Sequence, residues 1–142
     1  MTEEMEKKEK ERRLILNILW LICGGWMCAV LWYVVGGVLY MTYFGRGLGK
    51  QCFRLARYAL WPHDTTATAF LWNAPLANIL WWFPWGVLLF QVHMVFAGAF
   101  CITIIGAPIG KQYFKMALIA MSPFGVEYEK KELFEPYYPE KY

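Results

Sequence analysis

Two long stretches without a charged residue constrain this chain more than any other feature. Residues 14–45 and residues 65–110 contain no Asp, Glu, Lys or Arg, which makes runs of 32 and 46 residues in a chain of 142. A helix that crosses a bilayer needs about 20 mostly apolar residues, so each run can cross at least once. Charged residues are only 18% of the chain, below the roughly 25% typical of soluble domains. The sequence therefore predicts an all-α, multi-pass integral membrane protein.

The residues before the first run, 1–13, are predicted to form a polar helical arm. They contain five Glu and five Lys or Arg, so the arm has no net charge. Four acid–base pairs stand at i,i+4 spacing with the acid first, which is the favourable order on a helix: Glu3/Lys7, Glu4/Lys8, Glu6/Lys10 and Glu9/Arg13. The uncharged run that follows is too long for a signal peptide, and no small-residue cleavage site closes it.

An internal repeat is the second constraint. Residues 16–64 align without a gap on residues 77–125, with 16 identities in 49 positions. The sequence NILW at 17–20 recurs at 78–81, and GRGLGKQCF at 45–53 recurs as GAPIGKQYF. Because chance does not produce such a match, the sequence predicts a tandem duplication of one membrane unit.

The repeat divides the chain into five parts. They are a charged arm (1–13), a first membrane unit (14–64), a linker of small and polar residues (65–75), a second membrane unit (76–125) and a polar, tyrosine-rich tail (126–142). The tail is predicted to be a disordered or loosely attached end, and a docking peptide for a partner is the alternative.

Each unit is predicted to contain an apolar membrane helix and then an amphipathic helix. The apolar helices cover about 26–44 and 87–105, the length that crosses the hydrocarbon core. Breaks at Gly24-Gly25 and at 84–86 precede them. A glycine turn follows each apolar helix and leads into the amphipathic helix.

The amphipathic helices are predicted to lie in the membrane surface and to end at Pro62 and Pro123. Their basic side chains share one helix face, from which they would reach lipid headgroups. These side chains are Lys50, Arg54, Arg57, Lys111 and Lys115. The lipid bilayer is therefore the first predicted partner.

The number of crossings stays open at this point. Basic residues flank every apolar run, and the positive-inside rule places all of them on one side. That distribution favours a hairpin in each unit, which turns at the Gly24-Gly25 and 84–86 breaks, although 32 residues make only two short legs. The alternative is one long span per unit and an inverted repeat, as in several transporter folds.

The glycines of GRGLGKQCF suggest a phosphate-binding loop at first sight. A nucleotide P-loop has the pattern G-x-x-x-x-G-K-[ST], but Gln51 follows the lysine and Phe44 stands where the first glycine belongs. We therefore predict no nucleotide partner. The repeated glycines are assigned to a structural turn between the two helices of each unit: Gly45, Gly49, Gly106 and Gly110.

Three polar side chains in the apolar runs are candidates for a specific role. Asn17 and Asn78 lead the two units, where they either cap a helix at the interface or make interhelical hydrogen bonds that set assembly. His93 lies in the second apolar helix, where the first unit has Trp32. An intramembrane ionisable group is a functional candidate, here for a pathway. A neutral histidine bonded to the backbone or to Gln91 is the alternative.

The sequence offers little for catalysis or metal binding. Asp64 is the only acidic residue between Arg13 and Val126, and the four cysteines have no ligand-like spacing with histidine or carboxylate. We therefore predict no enzyme activity, no cofactor and no metal site. The basic residues form no stripe, so a nucleic-acid partner is not predicted either.

Several motifs of the second unit belong together: Asn-x-Leu-Trp at 78–81, CITIIGAPIG at 101–110, the Phe-Lys-x-Ala run and the closing Pro-Phe-Gly. In this combination, over about 16–125, the chain resembles the YccF family, the inner membrane component domain of bacterial membranes. The first unit departs from the pattern at Arg46-Gly47 and at 61–64. The resemblance implies an integral membrane protein and supplies no catalytic residue.

Two functions remain in view. The first is a structural or accessory role, as a homo-oligomer or as a subunit of a larger membrane complex. The second is a small transporter or channel with a pathway at the repeat interface. Thr42, Thr103, Gln91 and His93 would make a thin polar lining for such a pathway, so the first function is favoured.

Overall fold

The computed structural model describes residues 3–69 and 71–131, and this part of the chain is mostly helical. In chain order the elements are α1 (Glu3–Trp20), α2 (Trp26–Met41), α3 (Arg46–Leu60), β1 (Thr65–Thr68), α4 (Pro75–Trp81), α5 (Val87–Cys101), α6 (Ala107–Met121) and β2 (Glu127–Lys130). The predicted helical class is confirmed, and a two-stranded sheet is added to it.

Kinks separate α1 from α2 and α4 from α5 at the predicted breaks. Gly24 has a φ of 121°, a left-handed conformation that favours glycine. Phe83 has extended angles, φ −123° and ψ 126°, in the corresponding turn Trp82–Gly86. The non-helical angles at Gly24 therefore divide the stretch Glu3–Met41 into two helices. The predicted interruptions are confirmed, whereas the hairpins form further along the chain than the favoured alternative expected, between α2 and α3 and between α5 and α6.

The chain reverses later, between α2 and α3 and again between α5 and α6. The Thr42 hydroxyl donates to the carbonyl oxygen of Leu39 at 2.7 Å and accepts from the Gly45 N–H at 3.0 Å. Thr103 makes the same two bonds at 2.9 and 3.1 Å, the second of them with Gly106. These threonines close the helix ends, so α2 and α5 stop a little before the predicted limits of 44 and 105.

Each amphipathic helix packs back along the apolar helix before it, which makes each unit a helical hairpin. The closest approach is at Gly49 and Gly110. A Cβ built on Gly49 would lie 2.7 Å from the carbonyl oxygen of Gly36, and one built on Gly110 would lie 2.8 Å from that of Ala97. Because such distances are shorter than any normal contact, only glycine permits this packing.

The two hairpins pack on each other with α3 and α6 antiparallel. Gln51, near the start of α3, accepts a hydrogen bond from the backbone N–H of Gly125, just after α6. Gln112, near the start of α6, donates to the Tyr58 hydroxyl near the end of α3, at 3.2 Å. The turns of the two hairpins therefore point in opposite directions. Fully buried side chains from both units fill the shared core, among them Trp20, Trp32, Leu55 and Met116.

The linker and the first residues of the tail pair as an antiparallel sheet, with Ala67 opposite Tyr128. The prediction of a loose end is therefore wrong for Glu127–Lys130, because backbone hydrogen bonds to β1 hold this segment. The rest of the tail, 132–142, lies outside the described residues, and the prediction for it stays a prediction.

Candidate functional site

The helices α2 and α5, together with the hairpin turns 41–44 and 102–105, form a surface that we call the apolar layer. Its helices expose more than half of each of several large side chains: Trp26, Met27, Val30, Val34, Val38, Leu88 and Val95. Phe44 and Ile104 at the turns are each 94% exposed. By length and composition the kinked stretch Glu3–Met41 could cross a membrane, and α5 is a shorter apolar helix. A contiguous apolar surface of this extent marks a membrane or protein contact.

The charged part of α1, the outer faces of α3 and α6 and the sheet form a second surface, the polar layer. All five predicted headgroup-binding side chains are exposed on it: Lys50, Arg54, Arg57, Lys111 and Lys115. An open groove connects Lys10 and Arg13 of α1 with Arg54 and Arg57 of α3 and with strand β2. Basic residues of α1 and α3 therefore lie around one groove.

Asn17 and Asn78 are fully buried, and each binds the chain just after the last helix of its own unit. The Oδ1 atom of Asn17 accepts from the His63 N–H at 2.9 Å, and its Nδ2 donates to the Asp64 carboxylate at 3.1 Å. The Oδ1 atom of Asn78 accepts from the Phe124 N–H at 3.1 Å, and its Nδ2 donates to the Phe124 carbonyl at 3.0 Å. Each asparagine thus ties the first helix of its unit to the end of the last.

Sequence reasoning missed two tryptophans that close the same units. The indole N–H of Trp20 donates to the Ala59 carbonyl at 2.7 Å, and that of Trp81 donates to the Ala120 carbonyl at 3.0 Å. The signal was present in the repeated NILW, because its Asn and Trp are three residues apart and share one helix face.

His93 is 2% exposed and lies between α5 and α2. Its Nδ1 is 2.7 Å from the Leu89 carbonyl oxygen, so this nitrogen carries the proton. Its Nε2 is 3.8 Å from the sulfur of Cys28. This geometry matches the backbone-bonded alternative, and Gln91 lies on the exposed side of α5. An apolar cleft of about 430 Å³ between α2 and α5 reaches the histidine.

Basic side chains from α1, α6 and the segments around the sheet line one pocket of about 440 Å³ on the polar layer. We call it the basic pocket, and its basic residues are Arg12, His63, Lys111, Lys115 and Lys131. The Lys131 ammonium donates to the His63 carbonyl at 3.1 Å. Burial, and then the Lys131 charge, lower the pKa of His63 to about 4, so the imidazole is neutral at pH 7. Burial and the charge of Lys115 also lower the pKa of Lys131.

The residues that the structure describes bring together no group of three His, Cys, Asp or Glu side chains that could hold a metal ion. In the stretch that resembled a phosphate-binding loop, Gly45 lies in the hairpin turn and Gly49 lies in the α2–α3 contact.

Comparison with known proteins gives one family. The sequence model of YccF, described as the inner membrane component domain, matches residues 15–63 and 76–126. The chain is 29% identical over 125 residues to the inner membrane protein YccF of Escherichia coli (strain K12). This alignment covers 80% of this chain and 84% of that protein. The protein of the same name from Shigella flexneri matches equally. No solved structure matches the chain significantly.

Proposed function

Because the chain belongs to the YccF family of inner membrane component domains, we propose that it is an integral membrane protein with a structural or accessory role. It acts as a homo-oligomer or as a subunit of a larger membrane complex, without catalytic activity of its own. The observation that carries this proposal is the division of the surface into an apolar layer and a polar layer, which suits the boundary between lipid and water.

The proposal includes a tandem duplication of one membrane unit. Equivalent contacts recur at an offset of 61 residues: the bonds of Asn17 and Asn78, of Trp20 and Trp81, and of Thr42 and Thr103. The family matches the chain as two successive segments, which agrees with this organisation.

The polar layer supports one orientation in the bilayer. Lys50, Arg54 and Arg57 follow one another along about 10 Å of α3, and all three are exposed. A basic side chain at the centre of a bilayer costs about 2.5–3.5 kcal/mol on insertion scales. We therefore place both hairpins along one face of the bilayer, with the apolar layer in lipid and the polar layer at the headgroups.

A multi-pass orientation is the alternative. The two hairpin turns point in opposite directions, so upright hairpins would place them at opposite faces of the membrane. The polar layer would then need a second subunit or a polar pathway to cover it. For upright hairpins that cross the membrane, a transporter or channel is the second candidate function.

The packing between the hairpins favours the accessory role. Trp20, Trp32 and Met116 are fully buried there, and the buried Gln112 is bonded to Tyr58. A close-packed interface of this kind suits a structural or accessory role better than a transport pathway.

Mass and flux measurements test the accessory role together. Purified protein in nanodiscs is expected to give one defined mass, and liposomes that contain it are expected to show no selective ion flux. If the protein is a monomer and shows no flux, we infer that it acts as a subunit of a complex with a different protein. Clear selective flux would overturn the accessory role in favour of the second candidate.

A further inference from the structure

The basic pocket concentrates positive charge without matching negative charge. The nine side chains that line it include no Asp or Glu. Lys111 and Lys115 have no carboxylate within 4 Å among the described residues. Arg12 is paired with Glu9 at 2.7 Å, and Asp64, which is near Lys131, is bonded to Asn17 and Trp61. An anion that enters the pocket would therefore meet several cations whose charge is not yet compensated.

The kinds of donors in this pocket suit a tetrahedral oxyanion. The lysines supply compact charges, and the Arg12 guanidinium, whose Nε and Nη2 donate to Glu9, retains the donors of Nη1. Ala107 and Pro108, in the first turn of α6, also line the pocket, and a helix N-terminus adds a favourable positive potential. The Nδ1 of neutral His63 donates to the side-chain Oδ1 of Asn17 at 3.1 Å, so its Nε2 carries no proton and His63 is not a donor for the anion.

We propose that the basic pocket binds a phosphate group, carried either by an anionic phospholipid headgroup or by a soluble phosphate. The proposal concerns one ligand site, and it does not depend on the oligomeric state of the protein.

The other unit provides a natural comparison. The equivalent place lies beside α3, where Asn73 stands in the position of Arg12 and Phe124 in that of His63. Its lining includes Arg54, but also the acidic Glu127. One cationic position, that of Arg12, is therefore lost and one negative charge is added, so the duplication is expected to leave a single phosphate site.

The test uses two matched double variants of the full-length protein. Lys111→Gln with Lys115→Gln removes two charges from the basic pocket. Lys50→Gln with Arg54→Gln removes two charges at the equivalent positions of the other unit. Both variants change the total charge and the membrane-facing charge equally, so a general electrostatic effect would weaken binding to the same extent in both.

Dissociation constants are measured by calorimetry at constant ionic strength with two probes: inorganic phosphate added to protein in neutral detergent, and phosphatidate in mixed micelles, with phosphatidylcholine as the uncharged reference. The loss of two charged hydrogen bonds is expected to weaken binding by about tenfold or more in the K111Q/K115Q variant. The K50Q/R54Q variant is expected to stay within about twofold of the wild type.

Binding of both probes with this difference supports a site for soluble phosphate, and binding of phosphatidate alone supports a headgroup site. If neither probe binds, or if both double variants lose affinity equally, the proposal is wrong. Should K111Q/K115Q unfold at a lower temperature than the wild type without ligand, Arg12→Asn replaces it. This variant introduces the residue of the other unit at an exposed position, and unchanged affinity would count against the proposal.

Discussion

Replacement of Gly49 and Gly110 by alanine in one variant is expected to lower the thermal midpoint of unfolding by about 10 °C or more. Each new Cβ would lie within 2.9 Å of backbone atoms of the neighbouring helix, and backbone cannot move aside as a flexible side chain can. Overpacking of this kind costs about 1–3 kcal/mol at each site. A loss of 1 kcal/mol shifts the midpoint of a domain of this size by about 2–6 °C.

The matched control is the pair Gly37→Ala and Gly98→Ala. Both glycines are repeated at the same offset and lie inside α2 and α5, but an added Cβ meets nothing within 4 Å. Alanine is about 1 kcal/mol better than glycine inside a helix, so this variant is expected to unfold at the wild-type temperature or slightly above it. Tryptophan fluorescence in detergent measures both midpoints. Equal shifts in the two variants would contradict the packing of α3 on α2 and of α6 on α5.

Asn78→Leu is expected to destabilise the protein by about 2–5 kcal/mol. Leucine keeps a similar volume but leaves the buried N–H and C=O groups of Phe124 without the side chain that now binds both. Each unsatisfied buried group costs about 1–3 kcal/mol. Asn17→Leu is expected to cause a loss of the same order, since it removes the partner of the His63 N–H.

Asn73→Ala serves as the control for the asparagine variants. Asn73 also donates to a backbone carbonyl, that of Gly125, at 2.7 Å, but it is exposed. Water can replace this bond, so a loss of no more than about 1 kcal/mol is expected. Denaturant titration of the three variants measures the differences. If Asn78→Leu were as mild as the control, the asparagines would be simple caps rather than ties between helices.

The elements of the fold could be predicted from the sequence because local signals mark them. Pro62 and Pro123 follow helices that end at Leu60 and Met121, and Gly24 marks a kink through its positive φ. The point of reversal was predicted wrongly because a break in a helix does not reveal how far the chain bends. The pairing of β1 with β2 depends on segments about 60 residues apart, for which periodicity carries no signal.

The candidate site shows the same limit. The exposed basic faces of α3 and α6 follow from the spacing of their lysines and arginines. The basic pocket could not be predicted, because Arg12, His63 and Lys131 come together only through the packing of α1, the linker and the tail. The sequence places His93 inside the second apolar helix, but it does not reveal the bond of its Nδ1 to the Leu89 carbonyl oxygen.

The central claim is that the polar layer lies at one face of the bilayer, and labelling of single cysteines tests it most directly. Lys50→Cys and Lys111→Cys are made separately, with Glu3→Cys as the reference, in a background that lacks the four native cysteines. Each variant is treated with a membrane-impermeant maleimide from one side of sealed vesicles and then from the other. The proposed orientation predicts that all three positions react from the same side. Reaction of positions 50 and 111 from opposite sides would contradict it and would show that the hairpins cross the membrane.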